Sequence, residues 1–315
     1  MPRPKPKATD DNPLRDASRP GAVRLQRVLA DAGVASRRHC EAMILQGAVS
    51  VNGEIVDALP VWVCPEEDRI EVEGRPLPRR KQALKEATRH IYVMLYKPRR
   101  SISTAADPAG RRTVVDMVNH PSGARLFPVG RLDYDTSGLI ILTNDGDLAN
   151  GLTHPRYGVH KTYRATVKGS LDDEAFEELR QGVFLTDRKE GVTVGASRTA
   201  RTEMRLVKRD RERTIIEITL FEGRNRQVRR MFAKLGHPVR QLVRVGMGPV
   251  RLKALKTGEW RELTREEIRD LRRAAKGVKS LVELDDAPRT AGGARPKTPR
   301  ATAGKGAPRS RRRAR

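Results

Sequence analysis

The chain has 315 residues, with 64 Lys and Arg against 39 Asp and Glu, a formal net charge of +25 and a pI near 10.9. That excess makes a polyanion the natural partner, nucleic acid first, and the length suggests roughly two domains with tails. No apolar run approaches the roughly 18 residues of a membrane span, the N-terminus lacks a signal-peptide core, and two cysteines cannot build a zinc cluster or a disulfide framework. A soluble, cytoplasmic protein with no membrane partner is expected, with Cys40 and Cys64 as small packing residues.

Residues 1–23 hold five basic and three acidic residues, are rich in Pro, Gly and Ala, and are expected to be a disordered arm. From residue 24 a small module begins. Leu25, Val28, Leu29 and Ala32 recur at i, i+3, i+4 and i+7, which makes one apolar helix face, and Gly33 ends it. Ser36 is placed to cap a second helix that carries Arg37, Arg38 and His39 in its first turn, turns Met43 and Ile44 inward and stops at Gly47. Val49 to Val51 and Ile55–Val56 flank Asn52-Gly53, the dipeptide suited to a two-residue hairpin turn. Asp68 to Glu73 reads as a closing strand. The order of elements in residues 24–74 resembles the S4 RNA-binding domain. The resemblance implies RNA contacts at Arg24, Arg27, Arg37, Arg38 and Asn52, although a solvated helix face explains the same charges.

Residues 75–90, with Pro76 and Pro78 ahead of a charged stretch, read as a linker. Beyond it, strands are expected at Ile91 to Tyr96, Leu139 to Leu142, Thr162 to Lys168, Thr202 to Val207 and Thr214 to Phe221. Helices are expected at Asp172 to Gln181, at Asn225 to Leu235 and from Thr264, where Thr264-Arg265-Glu266-Glu267 has the form of a capping box. Strands adjoin one another without regular α/β alternation, so residues 91–275 read as a mixed, mostly antiparallel α+β domain. Residues 276–315 form a basic tail expected to be disordered. Its last part, 287–315, has eight Arg, two Lys and no carboxylate, and serves either nucleic-acid phosphates or solubility. Removing both ends leaves about +13 on residues 24–286, so the body itself is basic.

Two segments carry chemistry. Gly130-Arg131-Leu132-Asp133-Tyr134-Asp135-Thr136-Ser137-Gly138 sets a carboxylate two residues from an Arg on a Gly-bounded loop that leads into the apolar run Leu139 to Leu142. On an extended segment residues i and i+2 share a face, and basic neighbours favour an ionised carboxylate. The Thr143-Asn144-Asp145-Gly146 that follows reads as a turn. In Glu222-Gly223-Arg224-Asn225-Arg226-Gln227-Val228-Arg229-Arg230, Asn225 is placed to cap a helix buried through Val228, Met231, Phe232 and Leu235. Its exposed side holds Arg226, Arg229 and Arg230. Such a helix start suits a phosphate or a carboxylate, or is a solvated surface.

GRLDYDTSGLIILTNDG, Lys97-Pro98, Lys161-Thr162-Tyr163 and EGRNRQVRRM occur in this order, and together the chain resembles the RsuA/RluB family of ribosomal RNA pseudouridine synthases. The resemblance implies an α+β protein: a small α/β S4 domain followed by a mixed, mostly antiparallel synthase domain. It implies an isomerase that breaks uridine C1′–N1 and rejoins the base through C5, with no cofactor and no metal. Ribosomal RNA, 23S above all, or a ribosomal subunit assembly intermediate is the implied partner, and a monomer is the expected state. It matches Asp133 to the family's catalytic Asp and Arg229, with Arg226 as second choice, to a remote Arg, alongside Arg131. Tyr163 matches a base-stacking Tyr, which the residues alone leave as a core Tyr in a strand, and Leu220 matches an apolar support for the base. Lys97, Lys161, Arg224 and Arg230 are the further expected RNA contacts. Two other readings remain at this point. One is a metal-dependent nuclease using Asp133, Asp135, Asp145 and Asp147; the other is a ribosome-binding protein without catalysis.

Overall fold

The computed structural model describes residue 14 and residues 16–77, 90–189 and 192–277. Most of the arm 1–23 and of the linker 75–90, and all but the first two residues of the tail 276–315, lie outside the described residues. No helix among the described residues is long and apolar enough to cross a membrane.

The N-terminal part runs β1 (Val23–Arg24), α1 (Leu25–Asp31), α2 (Arg37–Leu45), β2 (Val49–Val51), β3 (Glu54–Val56), β4 (Trp62–Val63), β5 (Ile70–Val72) and β6 (Arg75–Pro76). The Ser36 side chain accepts the His39 N–H at 3.2 Å and starts α2. Asn52 (φ 54°) and Gly53 (φ 89°) make the tight turn between β2 and β3. Leu25, Leu29, Cys40, Ile44, Val49, Val51, Val63 and Ile70 close a small core of their own.

The second part contains β7 (Tyr92–Lys97), β8 (Phe127–Pro128), β9 (Ser137–Thr143), α3 (Gly146–Thr153), β10 (Lys161–Lys168), α4 (Asp173–Gln181), β11 (Phe184–Lys189), β12 (Val192–Arg198), β13 (Glu203–Arg209), β14 (Arg213–Leu220), α5 (Gln227–Lys234), β15 (Val239–Met247), β16 (Val250–Arg251), β17 (Trp260–Glu262) and α6 (Arg265–Ala275). Nine strands form one sheet with the path β13-β14-β10-β15-β9-β7-β17, to which β16 and β8 attach; β11 and β12 form a separate ribbon. Every pairing in that sheet is antiparallel except β15 with β9. This parallel seam is narrow, with only Val243↔Ser137 and Arg244↔Gly138 in register. It joins two half-sheets of four or five strands each.

Side-chain alternation assigns the cores. Met94, Leu139 and Ile141 pack with Leu148, Leu152, Leu263 and Leu271 under α3 and α6 on one face. Val93, Leu95, Ile140 and Leu142 pack with Val114, Leu126 and Leu132 on the other, so β9 is buried throughout. The other half-sheet buries Ala165, Val167, Ile216, Ile218 and Leu242 against α4 and α5. At the seam only glycine fits. Gly138 has φ +114°, and a Cβ there would lie 2.3 Å from the Arg244 carbonyl oxygen.

Two local expectations are corrected. Thr143 to Gly146 is not a plain turn: the Asp145 carboxylate accepts the Leu148 N–H at 2.9 Å and caps α3. The helix after residue 222 is not capped by Asn225. Arg226 holds the N-cap position in the left-handed region, φ 47° and ψ 34°, with no side-chain cap. Strand β15 and the ribbon β11–β12 come as additions, as does the cap that Asp172 sets on α4, while the Thr264–Glu267 capping box acts as expected.

Candidate active site at the seam of the sheet

Asp133 lies on the loop entering β9, where the two half-sheets meet. The loop is turned by the Thr136 N–H donating to the Asp133 carbonyl at 3.0 Å. Lys97, the last residue of β7, is wholly buried beneath it. Its ammonium donates to the carbonyls of Thr136 at 2.8 Å, Pro98 at 3.0 Å and Asp133 at 3.2 Å. Burial pushes the Lys97 pKa down to about 8 against the pull of Asp133 and Asp135, with Arg244 adding to the depression. All three of its N–H donors therefore fix the backbone that aims Asp133, and Lys97 has no surface to offer RNA.

The side chains facing this loop come from the other half of the sheet. Arg226 Nη1 stands 3.4 Å from Asp133 Oδ2 and 3.1 Å from Asp135 Oδ1, and Nη2 reaches Asp135 Oδ2 at 3.3 Å. Arg229 Nη2 reaches Asp135 Oδ2 at 3.2 Å and the Asp135 carbonyl at 3.1 Å, while its Nη1 donates to the Val239 carbonyl at 3.1 Å. Burial opposes the charge on Asp135, but the Arg226 hydrogen bonds and both guanidinium groups outweigh it and hold the carboxyl below its ordinary range. Asp135 thus clamps the two arginines, whereas Asp133, about as exposed as Asp135, has a single guanidinium contact. Arg131 is exposed and, among the described residues, pairs with no carboxylate; adjacency in sequence did not make it the partner.

The left-handed turn at Arg226 is held from behind. Glu222 Oε1 accepts Gln227 Nε2 at 2.6 Å and the Ala200 N–H at 3.1 Å, and Gln227 Oε1 accepts the Arg224 N–H at 3.1 Å. Neither Glu222 nor Gln227 was singled out from the sequence. The signal for them in the sequence is their spacing across a Gly-Arg turn.

Tyr163 is half-buried and packs against the cores of both half-sheets, next in register to Arg244. Arg244, 2% exposed, donates Nε to the Leu139 carbonyl at 2.7 Å and was not anticipated as a buried group. Leu220 is a core residue, 3% exposed.

Several expected RNA contacts are committed elsewhere. Lys161 is largely buried near Arg244, which together depress its pKa to about 8. Arg224 donates to the Ser197 hydroxyl at 2.7 Å and the Arg198 carbonyl at 2.8 Å. Arg230 donates to the Thr186 carbonyl, so both tie the β11–β12 ribbon to α5. Asn52 spends its amide on Asp68 at 3.0 Å and the Arg69 N–H at 2.8 Å. Arg27 pairs with Asp31 and, across to α3, with Asp147. Arg37 and Arg38 are exposed; Arg24 is exposed with its guanidinium 5.2 Å from the Trp62 ring centre.

The four-carboxylate reading fails on geometry. Asp145 caps α3 and accepts the Tyr92 hydroxyl at 2.7 Å, Asp147 faces Arg27, and Asp133 and Asp135 share a guanidinium. No group of three or more His, Cys, Asp or Glu suited to a metal ion occurs among the described residues.

Residues 91–234 match the family model for RNA pseudouridylate synthase, and residues 23–59 match that for the S4 domain. Ribosomal large subunit pseudouridine synthase B of Bacillus subtilis is 44% identical over 253 residues, spanning 80% of this chain and 96% of that protein. An uncharacterized RNA pseudouridine synthase of Aquifex aeolicus is 41% identical over 254 residues, spanning 80% and 94%. A crystal structure of a pseudouridylate synthase superposes with a TM-score of 0.54 at 30% identity, covering 79% of this chain and 99% of that one. With an S4 domain ahead of a mixed sheet whose seam gathers Asp133 and Arg226, the chain belongs to the RsuA/RluB family of RNA pseudouridine synthases.

Proposed function

We propose that this chain isomerises a uridine of large-subunit (23S) ribosomal RNA, free or in a subunit assembly intermediate, with Asp133 as the reacting carboxylate, no cofactor, and a monomer as the working unit. The observation that carries the reading is the difference in pairing: Asp133 meets one guanidinium, Arg226 at 3.4 Å, whereas Asp135, equally exposed, is spent on both Arg226 and Arg229. The reaction breaks C1′–N1 and forms C1′–C5. One proton leaves C5 and one is gained at N1, so no oxidant or reductant is consumed. The Asp133 carboxylate either adds to C1′ or takes a ribose proton; both roles need the ionised form. Tyr163 supplies the aromatic face for the base and Leu220 backs the wall behind it. A uridine inside folded RNA reaches this seam only by leaving its stack.

The test is tritium release from 23S rRNA labelled at uridine C5, with chelator present. Asp133→Asn should abolish release while leaving RNA binding intact, and substantial residual turnover would falsify the assignment. Tyr163→Ala should cost a large part of the rate. Carbodiimide primer extension on RNA from cells lacking the protein identifies the uridine; an unchanged 23S pattern with a missing 16S stop would overturn the large-subunit reading. A protein that only binds ribosomes would release no tritium at all.

A further inference from the structure

A second basic surface lies on the far side of the sheet. Arg265, Arg269, Arg272, Arg273 and Lys276 follow one another along α6 and its C-cap at helical spacing and face His90 and Tyr92 at the start of β7, around a groove of about 620 Å3. Leu271 and the partly buried Ile268 pin the helix to the core beneath Leu139 and Ile141, whereas Leu132 of the Asp133 loop packs in the core of the opposite face. The groove is therefore separate from the catalytic cluster.

Its charge is poorly compensated. Among the described residues no carboxylate lines it. Asp270 stands 3.7 Å from both Arg269 and Arg273, and Asp145, beneath the Tyr92 hydroxyl, stands 3.8 Å from Arg272. Arg269 and Arg273 keep 65% and 69% of their side-chain surface in solvent. The floor is rigid: Arg272 Nη2 donates to the Tyr92 hydroxyl at 2.7 Å, which in turn donates to Asp145 at 2.7 Å. From Arg265 to Lys276 the row runs roughly 16 Å. A line of guanidinium forks of that length, open to solvent, suits successive phosphates of a nucleic-acid backbone.

We propose that the α6 groove binds the sugar-phosphate backbone of the substrate RNA at a place remote from the modified uridine. The proposal rests on the reading of this chain as an rRNA enzyme. A structured RNA large enough to pass the β17 edge of the sheet can engage the seam and the groove together.

The experiment uses full-length protein and in vitro transcribed 23S rRNA carrying C5 tritium. The variant Arg269→Gln/Arg273→Gln/Lys276→Gln should raise the Kd at low salt by tenfold or more, and should lower the slope of log K against log salt by about 2 to 3. KM for tritium release should rise by the same factor with kcat unchanged. Asp270→Asn, which frees Arg269 and Arg273, should tighten binding. Unchanged Kd and slope in the triple variant would overturn the groove proposal, as would tighter binding by that variant, the sign of an acidic segment of the chain occupying the groove. If wild-type protein released no tritium yet the triple variant still lost affinity and slope, the groove assignment would stand while the catalytic reading fell.

Discussion

Asp133 and Asp135 stand two positions apart and have opposite tasks. Asp135 pairs with two guanidinium groups, and its lowered pKa means that its contribution to stability is present above the ordinary carboxylate range and is lost only as pH falls below it. Asp135→Asn should slow single-turnover tritium release by roughly 10- to 100-fold, because Arg226 and Arg229 lose their anchor, with RNA Kd unchanged; an unaltered rate would make Asp135 dispensable. Lys97 makes a different prediction. The folded protein sheds its proton near pH 8, whereas an unfolded chain keeps it to about 10.4, so the stability tied to this group rises with pH between those values. Over the same interval the neutral amine has two N–H donors for three carbonyls, and the hold on the Asp133 loop slackens. The pH–rate profile should therefore fall above pH 8 while the thermal midpoint does not fall with it. A parallel decline of both would show ordinary alkaline unfolding instead.

Strand β9 carries the weight at the level of elements. It is buried on both faces, pairs antiparallel with β7 and β8, and makes the parallel contact with β15 that joins the half-sheets. Gly138 permits that contact, since a methyl group would meet the Arg244 backbone at 2.3 to 2.9 Å in a conformation that L side chains avoid. Gly138→Ala should cost about 3 kcal/mol or more, read as a drop in thermal midpoint of roughly 6–12 °C. A shift below 2 °C would mean that the seam yields. Helix α5 stands on the other side of the seam, and its arginines divide between two jobs. Arg226 and Arg229 reach forward to the Asp133 loop, whereas Arg224 and Arg230 reach sideways to carbonyls of the β11–β12 ribbon.

Across the whole molecule, charge is distributed in layers. The body has about +13 over residues 24–286, and residues 287–315 add ten more cations with no carboxylate. Exposed cations of this kind act on RNA through counterion release, which salt suppresses. Deleting 287–315 should weaken 23S rRNA binding at 50 mM salt and leave affinities converging near 0.3 M, with kcat unaltered. A loss of kcat at saturating RNA would place the tail in the reaction. The Arg27–Asp147 pair links α1 to α3, with both partners substantially exposed, so it guides docking of the N-terminal part more than it stabilises the fold.

Devices confined to three or four residues were legible in the sequence. The Ser36 cap, the Asn52-Gly53 turn and the Thr264–Glu267 capping box form as the local pattern specifies, because each closes its hydrogen bonds within a few positions. The mixed antiparallel class and the family also followed from residue order, since the loop around Asp133 and the Arg-rich turn each occupy one short segment. What the tertiary structure decided was which charges meet. Arg226 finds Asp133 and Asp135 over about 90 residues of chain, and no rule of spacing favours it over Arg131. Lys97, Asn52, Arg224 and Arg230 count as polar or positive charge in a sequence but spend their donors on backbone carbonyls or neighbouring side chains once the elements pack. Strand β15 becomes central because β10 and β9 lie on its two sides, and the αL turn at Arg226 exists because Glu222 and Gln227 close behind it. Local hydrogen bonding is encoded by adjacency; the pairing of buried charge is fixed only when distant segments exclude water from the same place.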